Sequence, residues 1–574
     1  MEGRHCRHLP VTYICTMKID ERLSLCPVNE KSIGLIVSLI PVAVYFFLLL
    51  RYCYNFPFYD DYIAVLEAVS RWQYASSFNE KLSLLVEQHN EHRIVYIHVI
   101  SLLDNFLRGS VHFTDLVWCG NISLLLVLFL LYKSAESISE VSMFWLLPVV
   151  LLLFQLQSWD NTYWAMASLA NFGIHGWVIS AIYLASRRER WAWAGAISAT
   201  LLALGTIGSG LFLIPVVLAV WGVQKRFREL LLGGLVLIIA VLLYFKGYQQ
   251  PEGYPSLAHT LKHADWAQLL LFWGAFLGSN TYHPALSFVA PLMGWCGIGW
   301  FLWLTFRLYF QKNPVLYGVL GFLVLTALAV ALNRYGRGIE GAYPSRYRMN
   351  SSLFLAVTYL TVVELTAVKW KSRVVMAGSA ATLALYVMSV YVYLPRIKNN
   401  YELRVADHWL FRHQMPIAGS YRLKDANEML QTSVKEGLFI PPPLPENLFK
   451  DSVERKQLSV GLPVAGDTSL KNNAAEYDID EVKIVDKQVV IRGWVRFKKA
   501  GLTLNEVYIF VNTEKGYPTL FQKRYDLFEK YHDARYQDTG FLGAVPLSEW
   551  PKSPKGWHLL VEANNGQRSW LSPK

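Results

Sequence analysis

The chain has 574 residues, 53% of them hydrophobic and only 17% charged, with a formal net charge of +11 and a mean hydropathy of +0.26. A soluble domain carries about a quarter charged residues, so this composition excludes an ordinary water-soluble enzyme. Lys and Arg accumulate in the cytoplasmic loops of membrane proteins, and the positive balance is read that way rather than as nucleic-acid binding.

In chain order, residues 1–31 form a basic tail with Arg4, Arg7, Lys18, Arg22 and Lys31, unlike a cleaved signal peptide, so the first apolar run is expected to stay as an anchor. Cys6, Cys15 and Cys26 lie in this tail, and no cysteine follows Cys296. No Cys/His spacing suggests zinc. A membrane-spanning helix needs about 17–25 apolar residues. The spacing predicts eleven such spans, at 32–50, 116–132, 143–157, 165–185, 191–204, 211–223, 230–245, 286–306, 314–332, 351–368 and 374–394. Segments 94–107 and 266–278 read either as interfacial helices or as short spans.

With the N-terminus in the cytoplasm and those two segments not crossing, basic clusters fall inside. They are Arg187/Arg188/Arg190, Lys225/Arg226/Arg228, Arg307/Lys312 and Lys369/Lys371/Arg373. The large loop 51–93 and everything after residue 394 are then expected outside. The tail divides into a juxtamembrane segment and Pro-rich linker, 395–475, and a region of alternating short apolar runs, 476–574, that reads as a β-sandwich. The expected fold is a helical polytopic membrane protein with a C-terminal all-β domain. Trp494, Trp550 and Trp570 suit sugar stacking or a hydrophobic core.

Four constellations can carry chemistry. Asp60 and Asp61 sit among aromatics just past the first span. Carboxylates at a membrane interface suit a general base, or a helix N-cap for 62–69. His89-Asn90-Glu91-His92-Arg93 closes the same loop, as a polar helix cap or with Arg93 as a phosphate ligand. Adjacent residues do not converge on one ion, so no metal is expected there. Asp160 lies in a short polar turn, and the Gly-rich run 205–210 lacks the ending of a P-loop. Arg334, Arg337, Glu340, Arg346, Tyr347 and Arg348 form a dense cluster on the side where basic residues are normally scarce. Arg forks recognise phosphate bidentately, and snorkelling to headgroups is the alternative.

This pattern resembles the GT-C superfamily of membrane glycosyltransferases. The resemblance covers about residues 32–394: an acidic pair after the first span (Asp60-Asp61), a further acidic position after the third (Asp160), and later basic residues (Arg334, Arg337, Arg346). The His-Pro-Pro-Leu stretch of the protein-mannosyltransferase branch is absent, and Asn90-Glu91-His92-Arg93 stands in its place. The "NEHRI" and "SRY" strings look similar to those of uncharacterised bacterial members. The resemblance implies transfer of a sugar from a polyprenyl-phosphate donor to a glycan or lipid-linked acceptor on the extracytoplasmic face of the inner (plasma) membrane, in building cell-envelope polysaccharide. Asp60, Asp61 and Asp160 would be catalytic, and Glu91, His92, Arg93, Arg334, Arg337, Glu340, Arg346 and Tyr347 would bind substrate, without a metal or other cofactor. The alternatives are an O-antigen polymerase or ligase, and a non-catalytic transporter or assembly protein. Charges at span ends and the absence of an internal repeat separate the chain from typical transporters.

Overall fold

The computed structural model describes residues 30–138, 143–251, 257–420, 423–445, 448–449, 453–454, 475–499, 501–511, 515–553 and 556–572. The basic tail with its three cysteines and most of the linker before residue 475 lie outside the described residues.

Among the described residues, eight helices are long and apolar enough to cross a bilayer: Ser32–Tyr52, Phe113–Ser134, Met143–Tyr163, Ala165–Ser186, Phe227–Phe245, Val289–Phe306, Pro314–Arg337 and Val368–Arg412. The other three expected spans are helical but shorter or more polar: Arg190–Leu204, Gly208–Val223 and Arg348–Leu365. The two ambiguous segments are also helices, Val95–Arg108 and Trp266–Leu277. At about 1.5 Å per residue, the latter's 12 residues fall well short of the bilayer core. It packs closely on Val289–Phe306. A Cβ on Gly294 would lie 1.9 Å from the Gly274 carbonyl oxygen, and one on Gly278 1.9 Å from that of Ala290.

Two irregularities shape one end of the bundle. Met143–Tyr163 is broken into Leu147–Leu153, a 3-10 turn Leu156–Ser158 and Trp159–Tyr163. Non-helical backbone is tolerated at membrane depth only where protein buries and satisfies it. Here Leu156 N donates to Ser389 Oγ (3.2 Å), and the Gln157 carbonyl accepts from Ser345 Oγ (2.7 Å). The second is a π-helical turn, Tyr62–Glu67, directly after Asp61.

The segment expected to hug the membrane after residue 394 instead continues the last span as one 45-residue helix, Val368–Arg412, with Pro395 inside it. That is about 67 Å, roughly twice the bilayer core, and its C-terminal part packs on the first loop and the neighbouring span, where Leu403 meets Phe58, Trp164 and Ala167. Leu423–Lys435 follows and supports the first loop, where Glu436 accepts from Ser70 Oγ (2.8 Å) and Tyr74 OH (2.9 Å).

Residues 475–572 form two antiparallel sheets. One contains Ala475–Val485, Gln488–Phe497, Gly540–Pro546 and Leu520–Gln522. The other contains Arg568–Leu571, Trp557–Ala563, Leu504–Val511 and Lys515–Pro518, with Val453–Glu454 at its edge. Val489, Ile491 and Val495 face Ile509, Leu559 and Val561 in one core, which makes the unit a sandwich. The other face of the first sheet docks on the final helix, where Val490, Leu542 and Ala544 pack with Ala406, Trp409 and Leu410. Trp494 is buried, and Trp550 packs at the edge of the core.

Candidate functional site

The two adjacent aspartates behave differently. Asp61 is completely buried. Its Oδ2 accepts from Phe58 N (3.1 Å) and its Oδ1 from Met166 N (2.9 Å), at the start of Ala165–Asn171. Burial raises its pKa from 3.8 to about 7, against the lowering effect of those backbone donors and of Arg404. Asp61 therefore joins the first loop to the start of Ala165–Asn171. Asp60 stays half-buried beside it, and its carbonyl accepts from Ile63 N (3.1 Å) and Ala64 N (2.7 Å), which opens the π turn.

Asp160 stands in the first turn of Trp159–Tyr163, the last piece of the broken helix. Its N–H donates to Ser345 Oγ (3.2 Å), and the next residue, Asn161, donates through Nδ2 to the Arg346 carbonyl (3.0 Å). The Asp160 turn and the Ser345-Arg346-Tyr347 turn are thus stitched together across 185 residues of sequence. The charges of Lys523, Arg346, Arg396 and Arg404 all act on the Asp160 carboxylate.

The Arg-rich segment joins this carboxylate to the first loop. Arg346 lies 5.3 Å from the centre of the Tyr347 ring, and Arg334 lies 5.5 Å from it. Arg334 also donates to Tyr347 OH and to Glu91 Oε1. Glu91 sits in a tight hairpin, Gln88–His89 paired with His92–Arg93, whose turn places Asn90 at φ 49°. Asn tolerates that left-handed geometry well. Burial works to raise the Glu91 carboxyl, but the charge and hydrogen bond of Arg334 prevail and hold it below its usual range. Burial lowers His92 to about 4, and its Nδ1 accepts from Gly208 N (3.2 Å). A Cβ on Gly208 would meet that ring nitrogen at 2.9 Å, which explains a glycine at this point of the 205–210 run.

Arg93 is placed differently from the phosphate ligand expected of it. Its Nε donates to the Tyr244 carbonyl (2.6 Å), one terminal nitrogen to Lys246 (2.7 Å) and the other to Val86. It ties three backbone segments together. Arg348 is likewise buried, donating to the carbonyl of Tyr343 (3.1 Å) and to Gln157 Oε1. Glu340 is exposed and accepts from Tyr282 OH (3.3 Å), and Arg337 is exposed on the same segment.

Sequence reading missed Arg396, Arg404 and Lys523, whose charges act on Asp160. The first two lie on a helix whose continuation past the last span was not anticipated, and Lys523 belongs to the sandwich. The doubled basic pair Lys523-Arg524, ahead of Tyr525 at a strand end, was the available signal. Among the described residues, no group of three or more His, Cys, Asp or Glu is arranged to hold a metal ion.

No family model, no curated protein and no solved structure matches this chain.

Proposed function

We propose that the protein is a polyprenyl-phosphate-dependent glycosyltransferase of GT-C type, acting on the extracytoplasmic face of the membrane. One observation carries the reading: the Asp160 carboxylate and the Arg346-Tyr347-Arg334-Glu91 chain meet at the end of the bundle that bears the first loop. A carboxylate beside a row of guanidinium groups suits attack of a hydroxyl on a sugar whose leaving group is a phosphate.

In this mechanism the acceptor hydroxyl gives its proton to Asp160 or Asp60 as general base. The oxygen forms its bond to the anomeric carbon as the bond from that carbon to the phosphate oxygen breaks. The electron pair leaves with the lipid phosphate, and Arg346 and its neighbours stabilise the charge developing there. A donor phosphate seated on those cations also competes for their charge, which frees the carboxylate to take the proton. Asp61 positions the loop, because its oxygens are occupied by Phe58 N and Met166 N. Glu91 and Arg334 orient Tyr347 at the rim of the site.

The test is deletion of the gene in its native host with mass spectrometry of surface glycans, followed by complementation. Loss of one defined sugar, restored by wild type and not by Asp160→Asn, supports the reading. Full restoration by both Asp160→Asn and Asp60→Asn refutes it. Loss of whole repeat units, rather than one sugar, replaces it with a polymerase or ligase.

A further inference from the structure

The last long helix fits its neighbours unevenly. Only 11% of its most apolar stretch is buried inside the protein, the smallest share among the eight long helices. Near its start it touches Arg348–Leu365 at Gly378, where a Cβ would lie 2.7 Å from the Tyr359 ring, and Tyr359 OH donates to the Trp145 carbonyl (3.2 Å). Beside that contact the walls part around a cavity of about 480 Å³, within the roughly 300–1,000 Å³ of ligand pockets. Phe144, Leu147, Val363, Val375 and Met376 make its walls apolar, and Trp145, Lys371 and Ser372 supply polar groups. Protein interiors are close-packed, so a gap of this size between spans calls for an occupant.

The polar groups say which kind. Trp145 is 1% exposed, and its indole N–H has no acceptor. A buried donor left without a partner is unfavourable. Lys371 is half-buried, and among the described residues no carboxylate pairs with it. Its neighbour Arg373, in contrast, lies 4.4 Å from the centre of the Trp370 ring. The helix starts at Val368 with Ala367 as N-cap and no side-chain cap, so its first-turn N–H groups also favour an anion. Lys371 lies 18 residues before Ser389, which meets the Leu156 turn, or about 27 Å along the helix. That is close to one bilayer core, so the cavity lies towards the membrane face opposite the Asp160 turn.

We propose that this cavity is a site for one anionic phospholipid of the leaflet opposite the Asp160 turn. Its phosphate sits at Lys371 and the helix start, an ester oxygen accepts from Trp145 Nε1, and an acyl chain runs along the apolar walls. The lipid fills the gap between the last helix and the rest of the bundle, and so holds the helix that carries Arg396 and Arg404. The site is independent of the transferase reading and is not the place of the reaction.

The full-length protein, purified in detergent and stripped of lipid, is titrated with phosphatidylglycerol and with phosphatidylcholine, and bound lipid is counted by native mass spectrometry. Wild type is expected to retain one phosphatidylglycerol in preference to phosphatidylcholine, and to gain unfolding temperature from it. Lys371→Gln should weaken phosphatidylglycerol binding by about tenfold to a hundredfold, as for loss of a charge-assisted contact, and Lys371→Arg should keep most of it. Lys369→Gln and Arg373→Gln remove the same charge from residues that do not line the cavity, and they should leave binding unchanged. Val375→Trp, which fills the cavity, should abolish both the binding and the gain in unfolding temperature; if it fails to fold, the comparison of the three charge variants decides. Equal binding of the two lipids by wild type overturns the proposal. So does an equal loss in Lys369→Gln, Lys371→Gln and Arg373→Gln, which marks a diffuse surface attraction instead of a site.

Discussion

Asp61→Asn makes a sharp test of how the first loop is held. The folded protein raises this carboxyl from 3.8 to about 7, so the folded state keeps a proton that the unfolded chain releases. Stability from this group is therefore full below about pH 4 and is lost as pH rises towards 7, after which it is flat. At about 1.36 kcal/mol per pH step of one, the rise from 3.8 to about 7 withdraws roughly 4 kcal/mol across that window. The amide variant does not titrate. It can accept from only one of Phe58 N (3.1 Å) and Met166 N (2.9 Å), and the orphaned donor costs about 1–3 kcal/mol. The assay is thermal unfolding of detergent-solubilised wild type and Asp61→Asn from pH 4.5 to 8. The variant should be clearly less stable at pH 5, and its deficit should shrink or invert by pH 8. A difference between the two proteins that is constant with pH refutes the reasoning, and with it the assignment of Asp61 to a sealed site.

Arg93→Lys should fail to replace the fork that spans Tyr244, Lys246 and Val86. Each orphaned carbonyl costs about 1–3 kcal/mol, and limited proteolysis should cut the first loop faster than in wild type. Gly294→Val should lower the unfolding temperature, since its Cβ meets the Gly274 carbonyl oxygen at 1.9 Å and overpacking costs about 1–3 kcal/mol or more. Gly299→Ala, with nothing within 4 Å of its Cβ, is the neutral control. The Glu91–Arg334 pair should show a coupling of about 0.5–3 kcal/mol in a double-mutant cycle with Glu91→Gln and Arg334→Gln. Because Glu91 lies below its ordinary 4.5, its contribution is present above that pH and lost as pH falls through the folded value, a dependence absent in Glu91→Gln.

Much of the architecture was legible because lipid imposes a simple rule. Apolar runs of membrane length can exist only as satisfied helices or barrels, so the eight long helices and the alternating strands after residue 475 follow from composition and period alone. The acidic and basic clusters were legible as well, because charges at span ends are costly enough to stand out.

What each charge does was decided only by tertiary packing. Asp60 and Asp61 are neighbours in sequence, yet the chain turns so that one is sealed under Met166 and the other is left half-buried. Arg93 and Arg346 read alike as residue types, but one meets three carbonyls and the other lies over the Tyr347 ring with its charge acting on Asp160. Arg404 and Lys523 could not be connected to Asp160 from the sequence, because they lie 244 and 363 residues beyond it and their charges reach it only when the final helix and the sandwich dock. Period and composition report which solvent a segment prefers; they carry no information about which distant groups the folded chain brings within reach of one another.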